Sequence, residues 1–419
     1  MTLRVIGGMD TGINSVTLTD TEFTTISVVA DGTLAPNSSY QSGDIYSLKA
    51  ATGATNGVSY GEVDWGADDI SIWLTVRVMF PAVPSAITAL LAITDSVPTQ
   101  LFSMRVNASG FWQLNNNANG TIYTSTLNKP IANLWHRIEI YWKQDAAVGE
   151  FTVKIDGVAD VDLTQTALNN GAAKPRRIRL GVVEAQTNAP NRYLDSWIVN
   201  SDAAAPNNSW VGNAYVRALV VKNTDLGNWT VVDGGKADWQ CMQERPWNSN
   251  ASDMIKSSVA SQEDRMTLLP LGSSAGPVIL GAMPVLRQRR GVAGSAAGVT
   301  VNIRSVAADG TLSASLDSGS TTWKTFLGVI QETDPNTAAV WTLAGINAMI
   351  LRLVHDAGTN ECDVNAVFVY IAFTNNVGAL VSPLAGVAVM RSQQGVIVAP
   401  LKAEAYQRRG RMKHGNVII

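Results

Sequence analysis

Glu62, Val63 and Asp64 put two carboxylates at alternate positions of one predicted strand. A retaining glycoside hydrolase uses such a spacing to hold an acid and a nucleophile roughly 5 Å apart. Trp65, Gly66 and Ala67 follow, and the next carboxylates are Asp68 and Asp69, so no second glutamate follows Glu62 on this strand. The three histidines, His136, His355 and His414, share no metal-ligand spacing, and no serine or cysteine stands in a nucleophile-elbow sequence. Glycine loops that cradle phosphates are absent as well. The expectation is a protein that is not an enzyme, with no catalytic residue, metal or cofactor. Cys241 and Cys362 match no zinc motif and read as unpaired buried thiols, a single bridge being the alternative.

Binding chemistry is easier to find. The chain has 12 tryptophans against 8 phenylalanines, and an indole face stacks on a sugar ring while its N–H still finds a partner. Trp112, followed by Asn115 and Asn116 and then by Tyr123, is the predicted glycan-stacking group. The competing reading is a core tryptophan, the commoner fate of this residue in a β-sandwich. Near the end of the chain Arg408, Arg409, Arg411 and Lys413 crowd together before an apolar Val417-Ile418-Ile419. A basic run with an apolar tip cannot build its own core, so it is predicted to be an assembly arm that docks on a neighbour.

Only 16% of the residues are charged, against roughly 25% in ordinary soluble domains. Exposed faces must therefore be covered by uncharged polar residues or be buried against other subunits. A formal net charge of −3 offers no general attraction to nucleic acid or acidic membrane, so neither is expected as a partner. The longest apolar runs, such as Ala366 to Phe373, fall far below the roughly 20 residues of a membrane helix. The opening MTLRVIGGMD lacks a signal-peptide core, which predicts synthesis in a cytoplasm.

The elements that would position these groups are strands. In Trp135 to Gly157, Ile138, Ile140 and Trp142 share one face, Phe151, Val153 and Ile155 repeat the alternation, and Asp156-Gly157 supplies a turn. Ile70 to Phe80 alternates equally cleanly, with Ile70, Ile72, Leu74, Val76, Val78 and Phe80 on the core side. Many short strands between Gly, Asn and Pro clusters predict an all-β sandwich from residue 1 to 222, whose last strand is YVRALVV at Tyr215 to Val221. Residues 223–271 read as an ordered inter-domain strap, 272–375 as a second, smaller β-sandwich, and 376–419 as an extended C-terminal arm. Asp334 or Thr337 is expected to cap a helical turn in the second sandwich.

The Trp135 to Gly157 pattern is similar to that of the concanavalin A-like jelly-roll families, including laminin-G-type modules. Together with Gly7-Gly8-Met9-Asp10, YLDSWIV, NNSWVGNAYVRAL, QERPWN and ETDPNTAAVWT, it resembles a group of tailed-bacteriophage virion proteins. The resemblance implies a multi-copy structural component of the virion, assembled in the host cytoplasm. It implies as partners further copies of the chain, as a homotrimer or higher, and neighbouring virion proteins, with host surface polysaccharide as a further ligand. A tail fibre or tail-tip component is the first expectation, a head decoration or neck (collar) protein the second, and a polysaccharide depolymerase the enzymatic alternative.

Overall fold

The computed structural model describes residues 3–374 apart from 8–22, 29–32, 38–46, 55, 203–208, 244–252, 273–275, 294–295, 357 and 359. Beyond them it describes the backbone of two strands, Val387–Ser392 and Gly395–Pro400, which pair with each other alone among the described residues. The predicted arm residues Arg408, Arg409, Arg411 and Lys413 lie outside the described residues.

Local alternation decides the first sandwich. Trp135–Lys143 pairs antiparallel with Gly149–Ile155, and Ile138, Ile140, Trp142, Phe151 and Val153 are completely buried on one face. Asp156 and Gly157 follow with φ of 55° and 90°. Two positive φ values in a two-residue loop match the twist of the flanking strands, which is why Asp-Gly stands there. The chain returns as Val158–Leu168.

Two antiparallel sheets face each other. The inner one runs Val158–Leu168, Gly149–Ile155, Trp135–Lys143, Ser71–Met79, Arg192–Ser201, Ser47–Ala51 and Thr33–Asn37, with Leu3–Gly7 also paired to Arg192–Ser201. The outer one runs Thr121–Thr124, Trp112–Asn116, Gln100–Val106, Thr88–Thr94, Arg177–Gln186, Gly57–Asp64 and Thr25–Val28. Between them lies one core that includes Ile72, Leu74, Val76, Val78, Leu91 and Met104. Each such aliphatic side chain contributes about 1.5–3 kcal/mol by leaving water. Ile70, expected on this face, precedes the strand and stays exposed.

The second sandwich begins earlier than the sequence suggests. Ala214–Leu226 belongs to it and not to the first: its front half pairs with Cys362–Thr374 and its back half with Glu263–Leu268. This strand bends from one sheet into the other. The stretch expected to be a strap instead supplies Thr230–Val231, Ile255–Ser257 and Glu263–Leu268 to the same structure, plus the short helix Asp238–Cys241. The backbone groups of these three strands are satisfied by ladder hydrogen bonds. The helical turn is Leu343–Ala348, and its cap is Thr342, whose Oγ1 accepts from the Gly345 N–H at 3.0 Å. Asp334, proposed as the cap, serves an upstream turn by accepting from the Asn336 N–H at 2.9 Å, and Thr337 lies in that turn.

The strand Cys362–Thr374 explains how the two sandwiches stack. Val367, Val369, Ile371 and Phe373 point into the second core, while Ala366, Phe368, Tyr370 and Ala372 point the other way, against Leu3, Ile6 and Ile198 of the first sandwich. The result is four layers of sheet with three cores between them. Both middle sheets are buried on both faces where they overlap, and charges standing there, such as Arg77 and Glu139, are hydrogen-bonded or ion-paired.

Candidate functional site

The predicted glycan platform is not at the surface. Trp112 is 0% exposed, its ring centroid 6.1 Å from that of Phe80 and 6.0 Å from that of His136, which it meets in a T-shape. The cause is strand parity: Trp112 and Leu114 share the inward face of Trp112–Asn116, and the intervening Gln113 faces out. Asn116 is buried too and donates to the Asn170 side chain at 2.7 Å. Tyr123 packs edge-on against Phe151 at 4.9 Å, on the core side of its strand. Asn115 remains partly exposed, alone of the four at the outer face. The four residues do not converge on a ligand.

The carboxylates of the hydrolase-like motif are committed to guanidinium groups. Arg179 Nε donates to Glu62 Oε2 at 2.7 Å, and Arg176 and Arg177 donate to the two oxygens of Asp64 at 3.0 and 2.8 Å. Asp69 accepts two hydrogen bonds from Arg4, at 3.0 and 2.7 Å, and a third from Trp65 Nε1 at 3.0 Å. Burial raises the Asp64 carboxyl, but hydrogen bonds from Arg176, the Gly66 N–H and Arg177 outweigh it and leave the group below its usual range. A general acid needs the opposite shift.

Both described histidines are fixed by hydrogen bonds, His136 by a backbone N–H and a carboxylate and His355 by backbone carbonyls. The Ile131 N–H donates to His136 Nε2 at 2.8 Å, which places the proton of the neutral ring on Nδ1, 2.9 Å from Asp156 Oδ2. His355 is fully buried, with its two nitrogens 3.0 and 2.9 Å from the carbonyl oxygens of Asp356 and Asn360. Cys241 and Cys362 are both free and buried, and burial raises both thiols, Cys241 to about 11. Such thiols are poor nucleophiles. Asp264 stands out in the second core: burial, then the nearby charge of Asp238, push its carboxyl up to about 8. Among the described residues no three His, Cys, Asp or Glu side chains gather as metal ligands.

A different aromatic group does reach the surface. Trp73 and Tyr141 face each other in register on the outward side of the inner sheet, their rings stacked with centroids 5.1 Å apart. Trp210, from the segment joining the two sandwiches, meets Tyr141 edge-on at 6.4 Å. All three rings are partly exposed. Lys154 Nζ lies 3.7 Å from the centroid of Trp210, Tyr141 Oη donates to Glu150 at 3.1 Å, and Lys143 sits 3.6 Å from the same carboxylate. The joining segment is pinned in place by Glu139, which accepts from the Gly212 N–H at 3.1 Å, and by Arg77, which donates to Asn213 at 2.7 Å. Parity could have flagged Trp73 and Tyr141 as outward; nothing local brings Trp210 to them.

Where the sandwiches meet there is also an open cleft of about 340 Å³, lined by Arg4, Trp65, Met283, Leu327 and Ile330 among others.

No family model matches the chain, and no curated protein matches it. Among solved structures, the cellulose-induced protein Cip1 is similar at 10% identity, covering 42% of this chain and 90% of its own length, with a TM-score of 0.34. A sialidase is similar at 9% identity over 42% of this chain and 17% of its own, with a TM-score of 0.34. The Trypanosoma rangeli sialidase is similar at 13% identity over 40% of this chain and 26% of its own, with a TM-score of 0.30. The chain thus spans only a small part of either sialidase.

Proposed function

We propose that this chain is a non-enzymatic, multi-copy structural component of a tailed-phage virion, working through contact area. The observation that carries the multi-copy reading is an apolar margin on the first sandwich. Val158–Leu168 is an edge strand that contains no lysine, arginine or proline. Val158 is 72% exposed, Val161 73% and Leu127 78%. Asp162 is tied to Thr126 at 2.7 Å and Asp160 to Asn128 at 2.7 Å, so the strand's own carboxylates bond to the adjoining loop. The edge is irregular, with two register shifts against Gly149–Ile155, but its exposed aliphatics make it a surface for another chain. The partners are further copies and neighbouring virion proteins.

The sequence resemblance supports the virion assignment and favours a tail fibre or tail-tip component. A head decoration or neck protein is the second reading. Catalysis is set aside because Glu62, Asp64 and Asp69 are held as ion pairs.

Two measurements test this. Analytical ultracentrifugation should give a trimer or larger, reduced in mass by Val158→Lys with Val161→Lys. Gold-labelled antibody against the chain should mark intact particles at the tail. A monomer at micromolar concentration, or unlabelled particles, would remove the proposal.

A further inference from the structure

We infer that Trp73, Tyr141 and Trp210 form a binding site for a neutral, hydroxyl-rich saccharide chain; this deepens the contact-area proposal and rests on it. Aromatic side chains in a sandwich are normally spent on the core, and Trp112, Trp142 and Trp197 are fully buried here. Trp73, Tyr141 and Trp210 leave part of three rings in water within one patch, although Trp73 and Tyr141 sit on a well-paired central part of the sheet. Nothing in folding requires that exposure.

The surroundings select the ligand. Across the sheet the row runs Asn200, Trp73, Tyr141, Thr152 and Thr164, so polar residues flank the rings and, among the described residues, no aliphatic side chain extends this row. A peptide helix or an acyl chain would need such an extension. The rim offers cations and an anion together: Lys143, Lys154 and Glu150. That mixture supplies donors and acceptors with little net charge, which suits hydroxyl groups better than a carboxylate or phosphate. Burial, and then the neighbouring Arg137, lower the Lys154 ammonium against the opposing pull of Glu139. The parts of the rings left open by the Trp73–Tyr141 stack and by Lys154 over Trp210 give a sugar apolar contact, and the rim gives its hydroxyls partners.

Because Trp210 comes from the segment joining the sandwiches, the site exists only when that segment is seated by Glu139 and Arg77. An isolated first sandwich cut before Trp210 would lack a third of the platform.

The test uses the full chain and two probe sets: neutral glucan and galactan hexasaccharides, and sialyllactose as an acidic probe. Tryptophan fluorescence and calorimetric titration should show a neutral probe binding. Trp73→Ala and Trp210→Ala should each weaken it about tenfold, near 1.4 kcal/mol. Trp73→Phe should recover part of the loss, and the remote Trp65→Phe should change nothing. Unchanged melting curves show that the variants fold. If a neutral probe binds and these variants bind equally well, the site is elsewhere and this inference fails while saccharide contact stands. If only sialyllactose binds, or no probe does, the inference also fails, and the assembly proposal is still judged separately by mass and labelling.

Discussion

The Arg77 guanidinium carbon lies 3.9 Å from the centroid of the Tyr215 ring, and this contact joins the two sandwiches. Arg77 stands on the central strand of the inner sheet, Tyr215 on the strand that opens the second sandwich. Arg77 also donates to the Asn213 side chain at 2.7 Å, and burial lowers its pKa. Arg77→Ala should therefore cost about 2–4 kcal/mol, since it removes a desolvated cation–π contact and strands the groups it served. Scanning calorimetry should then resolve two transitions in place of one.

A second joint is the amino-terminal strand. Gly7 lies against the Trp197 indole so closely that a Cβ there would overlap the ring. Leu3 and Ile6 on the same strand fill the core between the sandwiches. Gly7→Val should destabilise by about 1–3 kcal/mol or more through overpacking, and Leu3→Ala by about 2–4 kcal/mol through a cavity. Urea denaturation would measure both.

These two joints mark where sequence reasoning stops. The Trp135 to Gly157 hairpin is legible because alternation and an Asp-Gly turn are local signals. The partner of Tyr215 is not: it pairs in register with Phe373, more than a hundred residues on. Nothing in YVRALVV reveals which sheet will claim it, so the first sandwich looks one strand too long. The platform shows the same limit. Trp112 and Trp73 both lie on alternating strands, and only parity against the buried set separates the core tryptophan from the surface one.

Asp264 yields a pH prediction. Its folded pKa, about 8, exceeds the 3.8 of an ordinary aspartate, so between those values the folded state holds a proton that the unfolded chain has lost. The associated stability is present below pH 3.8 and is lost as pH rises toward 8. Asp264→Asn should stabilise the fold markedly at pH 9 and little at pH 4. Melting curves of both proteins across that range would check it.

The ion pairs around the hydrolase-like motif predict a structural phenotype. Glu62 is 5% exposed, and Arg179→Ala would leave its carboxylate with only the more distant Arg177, 3.7 Å away. The expected cost is about 2 kcal/mol in stability, whereas Glu62→Gln, which keeps a hydrogen-bond acceptor, should cost less. Paired denaturation curves would rank them.

The most direct test of an account based on contact and not on reaction is to incubate the protein with host surface polysaccharide and follow retention and reducing-end release together. The account predicts retained polymer of unchanged length, with Glu62→Gln behaving as the wild type. Fragments that accumulate with time, and that disappear in Glu62→Gln, would contradict it.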